Sequence, residues 1–168
     1  MLPFPEPTAP ASSRGEVFLC YLDFFRATAI AKVEALPEAD LRRSRLPSGW
    51  TPLELLKHLT HVELRWIEWG FEGRQVENPW GDWKNDRWQV DPGETRESLT
   101  TCLRTQGEHT SEVVRTTDLA AVGQPGPRWR GAEPATLERV LFHLLQEYAR
   151  HLGHLDVVAE LATGETGE

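Results

Sequence analysis

The chain has 168 residues, of which 39% are hydrophobic and 26% charged, and its formal net charge is −8. This length and balance predict one globular domain over 1–168 with a sizeable core, and they exclude a disordered chain. An acidic surface argues against nucleic acid as a partner, and no stretch approaches the length of a membrane span.

The first residues, Met1-Leu2-Pro3-Phe4-Pro5-Glu6-Pro7, have no basic region and no apolar run, so they do not read as a signal peptide. Residues 1–12 read as an irregular, Pro-rich N-terminal arm. Two cysteines, Cys20 and Cys102, are too few for a disulfide framework. Placed on separate helices, they read as buried thiols of a reducing cytoplasm.

Ser13-Arg14-Gly15-Glu16 has the spacing of a capping box and predicts a first helix running to about Leu36, with Phe18, Leu22, Phe25, Ala29, Val33 and Leu36 as its apolar stripe. Pro37 ends it. Thr51-Pro52-Leu53-Glu54 repeats the box with proline in the first turn. The second helix then runs to Gly70 or Gly73 on a stripe of Leu55, Leu59, Val62, Trp66 and Trp69. His58 falls on that inward face; His61 is rotated to its edge, and Glu63 reads as a surface carboxylate. Residues 74–91 form a long loop in which Trp80, Trp83 and Trp88 fall within nine residues, with Asp82 among them. Such loops are often functional, and these tryptophans suit either a satellite core or the wall of a pocket.

Asp91-Pro92-Gly93-Glu94 signals a third helix running to about Thr116, whose stripe of Leu99, Leu103, Gln106, Thr110 and Val113 is thin and polar. That thin stripe leaves room for a homodimer face. A second connection over 117–132 carries Arg128-Trp129-Arg130, expected to lie with the tryptophan loop at one end of the molecule. Pro134 then opens a fourth helix that ends before Gly164. No strand alternation is sustained. Four amphipathic helices of roughly 20–30 residues predict an all-α four-helix bundle with long loops, a fold whose core commonly hosts metals.

The chemistry concentrates on that fourth helix. Leu137, Leu141, Leu144, Tyr148, Leu155 and Val158 advance in steps of three and four, and His151 lies on the same face. Glu147 stands one turn before His151, so the two make a two-point clamp. His58 on the second helix supplies a third donor. A His₂Glu set suits catalytic zinc, with three protein ligands and an open position. Nickel, iron or manganese accept the same donors. His154 is the candidate to deliver a proton, and His143, four residues before Glu147, is placed to hydrogen-bond near the site. A helix with Glu and His at this spacing is also compatible with plain amphipathicity.

Thr51-Pro52 through His58-Leu59, together with Glu147-Tyr148-Ala149-Arg150-His151-Leu152-Gly153-His154-Leu155-Asp156, resembles the DinB/YfiT-like superfamily. Within it the closer similarity is to an actinobacterial branch related to mycothiol-dependent maleylpyruvate isomerases and mycothiol S-transferases. The resemblance implies a DinB-like four-helix bundle with a metal on His58, Glu147 and His151. It also implies a low-molecular-weight thiol, mycothiol, activated for transfer to, or isomerisation of, an electrophilic small molecule. The extra C-terminal domain of the full-length isomerases is not expected in this chain, and maleylpyruvate isomerisation itself is then not the expected reaction. The alternative is a non-catalytic metal- or small-ligand-binding bundle of a stress response.

Overall fold

The computed structural model describes residues 2–164 and 166. Four long helices carry the fold: α1 (Arg14–Ala35), α3 (Pro52–Trp66), α4 (Arg96–Thr116) and α5 (Leu137–Thr163), with a short α2 (Glu38–Leu41) after the first. Helices α1 and α3 each pack on both α4 and α5, which closes the four into a ring around one core. The all-α bundle expected from the helical periodicity is therefore what forms. Among the described residues the only sheet is a hairpin of β1 (Trp83–Lys84) and β2 (Arg87–Trp88), turned by Asn85 and Asp86, both at positive φ. No helix among the described residues is long and apolar enough to cross a membrane.

Local chemistry explains most of the boundaries. Thr51 Oγ1 accepts from the Glu54 amide at 3.3 Å, and Glu54 Oε2 accepts from the Thr51 amide at 2.8 Å, the full reciprocal box with Pro52 in the first turn. At α1 the box is altered. Ser13 Oγ accepts from the Glu16 amide at 3.1 Å, but the Glu16 carboxylate reaches back to Ser12 instead of the cap residue. Helix α3 ends in a π-helical turn over Ile67–Phe71, so the helical run stops where Gly70 and Gly73 predicted.

Two predicted starts shift. Asp91-Pro92-Gly93-Glu94 forms a turn, with the Glu94 amide donating to the Asp91 carbonyl at 3.1 Å. Helix α4 begins at Arg96 behind a Thr95 cap. Its Asp-Pro-Gly tripeptide suits a turn as well as a cap, and Glu94 is drawn to Lys57 Nζ at 2.8 Å. Pro134 likewise precedes the last helix without opening it. Ala135 and Thr136 stay extended against 121–123, with the Gly123 amide bonded to the Ala135 carbonyl at 3.0 Å, and α5 begins at Leu137 capped by Thr136. Gly164, at φ 78°, closes α5 in the left-handed conformation.

The cysteines are not buried: Cys20 on α1 and Cys102 on α4 are exposed. Each sits beside its helix's apolar stripe, not on it. Glu63 departs further from expectation, being 0% exposed at the centre of the bundle. Its carboxylate accepts from Arg26 Nε at 2.7 Å and Nη2 at 2.9 Å, from Thr110 Oγ1 at 2.5 Å and from the Tyr148 hydroxyl. One residue from each long helix thus meets there. Burial works against the Arg26 charge, but Glu63, Tyr148 and Asp23 together outweigh it and raise the guanidinium pKa. Gly107 makes room for this pair, since a Cβ there would lie 2.7 Å from Arg26 Cδ and Nε. That contact accounts for a glycine inside a helix, where it costs about 1 kcal/mol relative to alanine.

Glu63→Gln should remove the buried counter-charge of Arg26, leaving it only the part-exposed Asp23, and lower unfolding stability by roughly 3–5 kcal/mol, read from the urea midpoint. The double replacement Arg26→Met with Glu63→Leu should lose less than the single one. An unchanged midpoint in Glu63→Gln would contradict the role given to this pair.

Candidate metal centre

The three donors predicted from the sequence converge. His58 on α3 and Glu147 and His151 on α5 each present a ligand atom, and these atoms lie within 4.8 Å of one another. Leu55, Leu59, Leu144, Tyr148 and Leu155 are all buried on the same helix faces, so the donors sit against a dry core. The centroids of the His58 and His151 rings are 4.9 Å apart and nearly perpendicular.

Each donor is oriented by a neighbour. The His58 ring bonds through Nδ1 to Asp82 Oδ2 at 2.8 Å, which leaves Nε2 for the cluster. Burial holds the His58 pKa below its ordinary value despite Asp82, so the ring is neutral at pH 7, as a ligand must be. Glu147 is 3.2 Å from His143 Nε2 through Oε1 and 3.1 Å from His151 Nε2 through Oε2. Those two hydrogen bonds hold its carboxyl well below the usual carboxylate range, so it is ionised. His151 Nδ1 is buried with no hydrogen-bond partner. Neutral imidazole, ionised carboxylate and an unpartnered buried ring nitrogen are the donor chemistry a divalent cation takes.

Asp82 is the residue beside the cluster that periodicity could not single out. It is 1% exposed and carries two bonds from Arg65, Nη1 to Oδ1 at 2.5 Å and Nη2 to Oδ2 at 3.2 Å, besides the one with His58. Burial alone would push its carboxyl up; the hydrogen bonds of His58 and Arg65 and the Arg65 charge prevail and bring it to about 2. Gly81 lets the loop come close enough, since a Cβ there would meet His61 Nε2 at 2.7 Å and Asn78 Nδ2 at 2.9 Å. Carboxylate partners of this kind fix the tautomer and direction of a ligating histidine.

The aromatic loops divide. Trp88 stacks on His58 with centroids 4.2 Å apart and meets His151 edge-on at 5.2 Å. Trp80 packs on Trp69 and under Arg65 instead, and Trp83 stays exposed. Trp129 and Arg128 lie against Trp66, which in turn faces His143 at 4.4 Å, so this segment borders the Glu147 side. Trp88 and Trp83 also line a cavity of about 200 Å³ with Trp50, Glu54 and Arg87, and none of the three donors is in its wall. A cavity of about 450 Å³ between α1 and α4 contains none of the three donors.

His154 lies beside the cluster and outside it. It is exposed, with its ring 5.8 Å from His151 and 6.2 Å from Trp50. Partial desolvation, with His151 and Arg150 close by, lowers its pKa. His61 turns its Nδ1 to the Lys57 carbonyl at 3.0 Å and takes no part.

Three groups that could hold a metal ion thus meet between two facing helices of a bundle, one histidine backed by a carboxylate, in a fold whose core commonly hosts metals. A family model described as mycothiol-S-transferase matches residues 17–164, and the chain belongs to that family. A comparison with curated proteins gave no match.

Replacing Asp82 with asparagine keeps the shape and removes the charge that Arg65 and His58 face. The buried Arg65 then loses its charged partner, and stability should fall by roughly 2–4 kcal/mol, measured by urea denaturation. A loss within 0.5 kcal/mol, the ordinary range for surface positions, would show that the loop is held by its tryptophans alone.

Proposed function

We propose that the protein is a metal-dependent thiol S-transferase whose thiol is mycothiol and whose acceptor is an electrophilic small molecule. The observation that carries this reading is the convergence of His58, Glu147 and His151 from two helices in a chain of the mycothiol-S-transferase family. Zinc suits the donors best, and nickel, iron or manganese fit the same set.

When bound, a divalent cation supplies the positive charge that holds a thiol as thiolate near neutral pH. The chain's own residues do the rest. Asp82 holds His58 by Nδ1, which leaves Nε2 as the ring nitrogen free to ligate. His143 occupies one Glu147 oxygen and leaves the other beside His151. Buried Leu55, Leu59, Leu144 and Leu155 keep that side of the donors dry. The cavity that shares Trp88 with the donors gives the body of the thiol or of the electrophile a place to lie. His154, exposed and next to His151, is placed to hand a proton to the product where the acceptor needs one.

The magnitudes set what positioning must contribute. A free thiol of pKa about 8.5 is only a few per cent ionised at pH 7, so full ionisation gives roughly 30-fold more thiolate. A thiolate of lower pKa is a weaker nucleophile, and a Brønsted slope of about 0.4–0.5 removes roughly tenfold of that for a drop of two units. Most of the acceleration must then come from holding thiol and electrophile together.

The test is thiol consumption with mycothiol, bacillithiol and glutathione against a panel of electrophiles. Metal-loaded protein should turn over mycothiol, while chelator-treated protein and His151→Ala should fall by 100-fold or more, on the order seen for lost catalytic groups. Metal content should track the same variants: strongly reduced in His58→Ala, Glu147→Ala and His151→Ala, and unchanged in His61→Ala. Full occupancy in His151→Ala would refute the ligand set. Metal-loaded protein that accelerates no electrophile and shows no metal-dependent thiol binding would leave a binding bundle in place of an enzyme.

A further inference from the structure

The hairpin of β1 and β2 borders a cavity with a chemistry of its own. Trp83 and Trp88 are paired across the hairpin, so their side chains share a face. Trp50 meets Trp88 with ring centroids 6.2 Å apart and planes tilted by 59°. These three indoles line the cavity of about 200 Å³ together with two carboxylates, Glu54 and Asp86, and one cation, Arg87. Glu54 is the fixed group among them. Its side chain is only 9% exposed, and its Oε2 accepts from the Thr51 amide at 2.8 Å. Among the described residues Oε1 has one partner, Arg87 Nη2 at 3.7 Å, which is beyond hydrogen-bond reach. The Arg87 side chain is itself 65% exposed, so only a largely solvated group attends this oxygen. Buried charges are ordinarily paired closely. This one is paired loosely, and it borders a cavity walled by aromatic rings.

We propose that this cavity binds the cationic head of an organic ammonium compound with alkyl groups on its nitrogen. Aromatic faces attract a cation through the ring quadrupole, and tryptophan does so best. An alkylated nitrogen needs aromatic faces and negative charge more than it needs hydrogen-bond acceptors, and the wall offers both. Two carboxylates against one guanidinium leave the lining net negative. The volume limits what enters. Drug-sized ligands take about 300 Å³ or more, so a cavity of about 200 Å³ suits a head group and leaves the rest of the compound outside. Arg87 is then a resident competitor, since it and the ligand draw on the same Glu54 oxygen. Trp88 is a wall of this cavity and also stacks on His58, so a head bound here lies against the ring that covers the donor cluster. On the thiol-transfer reading, on which this last step alone rests, the ammonium compound is the electrophile.

The test titrates the full-length chain with choline and with its neutral isostere 3,3-dimethylbutan-1-ol, which has carbon in place of the charged nitrogen. Binding is followed through the indole N–H signals in proton–nitrogen correlation spectra, with those of Trp50, Trp83 and Trp88 assigned by replacement. Choline should shift these three signals and bind about tenfold or more tightly than the isostere, the worth of a few cation–π contacts. In Trp83→Leu, which keeps an apolar wall, choline affinity should fall about threefold or more while the isostere stays within about twofold. In Arg87→Gln the competing cation is gone, and choline affinity should rise about threefold or more. Chelator-treated protein should bind choline as well as zinc-loaded protein does, so a failure of the metal or thiol chemistry leaves this result standing. Choline that shifts none of the three signals, or binds no better than the isostere, would overturn the proposal. So would weaker choline binding in Arg87→Gln. An affinity unchanged in Trp83→Leu would also overturn it, because the general negative charge of the chain would then account for the binding.

Discussion

A carboxylate at the centre of the bundle, Glu63, sets the terms for the rest of the structure. It receives Arg26 from α1, Thr110 from α4 and Tyr148 from α5, so every long helix contributes a group to one point. A buried ion pair adds little net stability over apolar packing, because desolvation offsets the attraction. Its effect here is directional. Leucine side chains tolerate a few degrees of helix rotation; four hydrogen bonds to two oxygens do not. Tyr148 follows Glu147 directly, and Glu63 lies five residues after His58 on the same helix. Holding Tyr148 against Glu63 therefore sets the facing of α3 and α5, on which the approach of His58 to Glu147 and His151 depends. Gly107 belongs to the same arrangement, since without it Arg26 would have no space beside α4.

A second charged cluster fastens the loop to the bundle. Arg65 joins Asp82 to α3, Asp82 joins the loop to His58, and Trp88 covers the His58 ring. Arg65 also donates to the Pro79 carbonyl at 3.1 Å and lies over Trp80, which fixes the loop at its start. The long tryptophan-rich connection is thus part of the centre: one end of it aims a histidine and the other shields it.

What could be read from the sequence was what repeats at short range. The stripes of α1, α3 and α5 and the Thr51-Pro52-Leu53-Glu54 box are local patterns, and they placed His58, Glu147 and His151 on inward faces. Asp82 has no periodic context, and its partner His58 is 24 residues away, so the loop was conspicuous while its key carboxylate was not. Glu63 was misread because carboxylates are seldom fully buried, and only the Arg26, Thr110 and Tyr148 partners make it possible. Asp91-Pro92-Gly93-Glu94 was misread because turns and helix caps draw on the same residues. The exposed cysteines follow from a stripe narrower than a helix face: positions beside it face solvent.

The claim at the centre of this account is that the His58, Glu147 and His151 cluster converts a bound thiol to thiolate. Calorimetric titration of mycothiol into zinc-loaded protein at pH 7, in two buffers of different ionisation enthalpy, measures this directly. The account predicts binding that needs the metal and releases about one proton per thiol, since a thiol of pKa about 8.5 enters mostly protonated. Binding of equal strength to metal-free protein, or binding with no proton release, would contradict it.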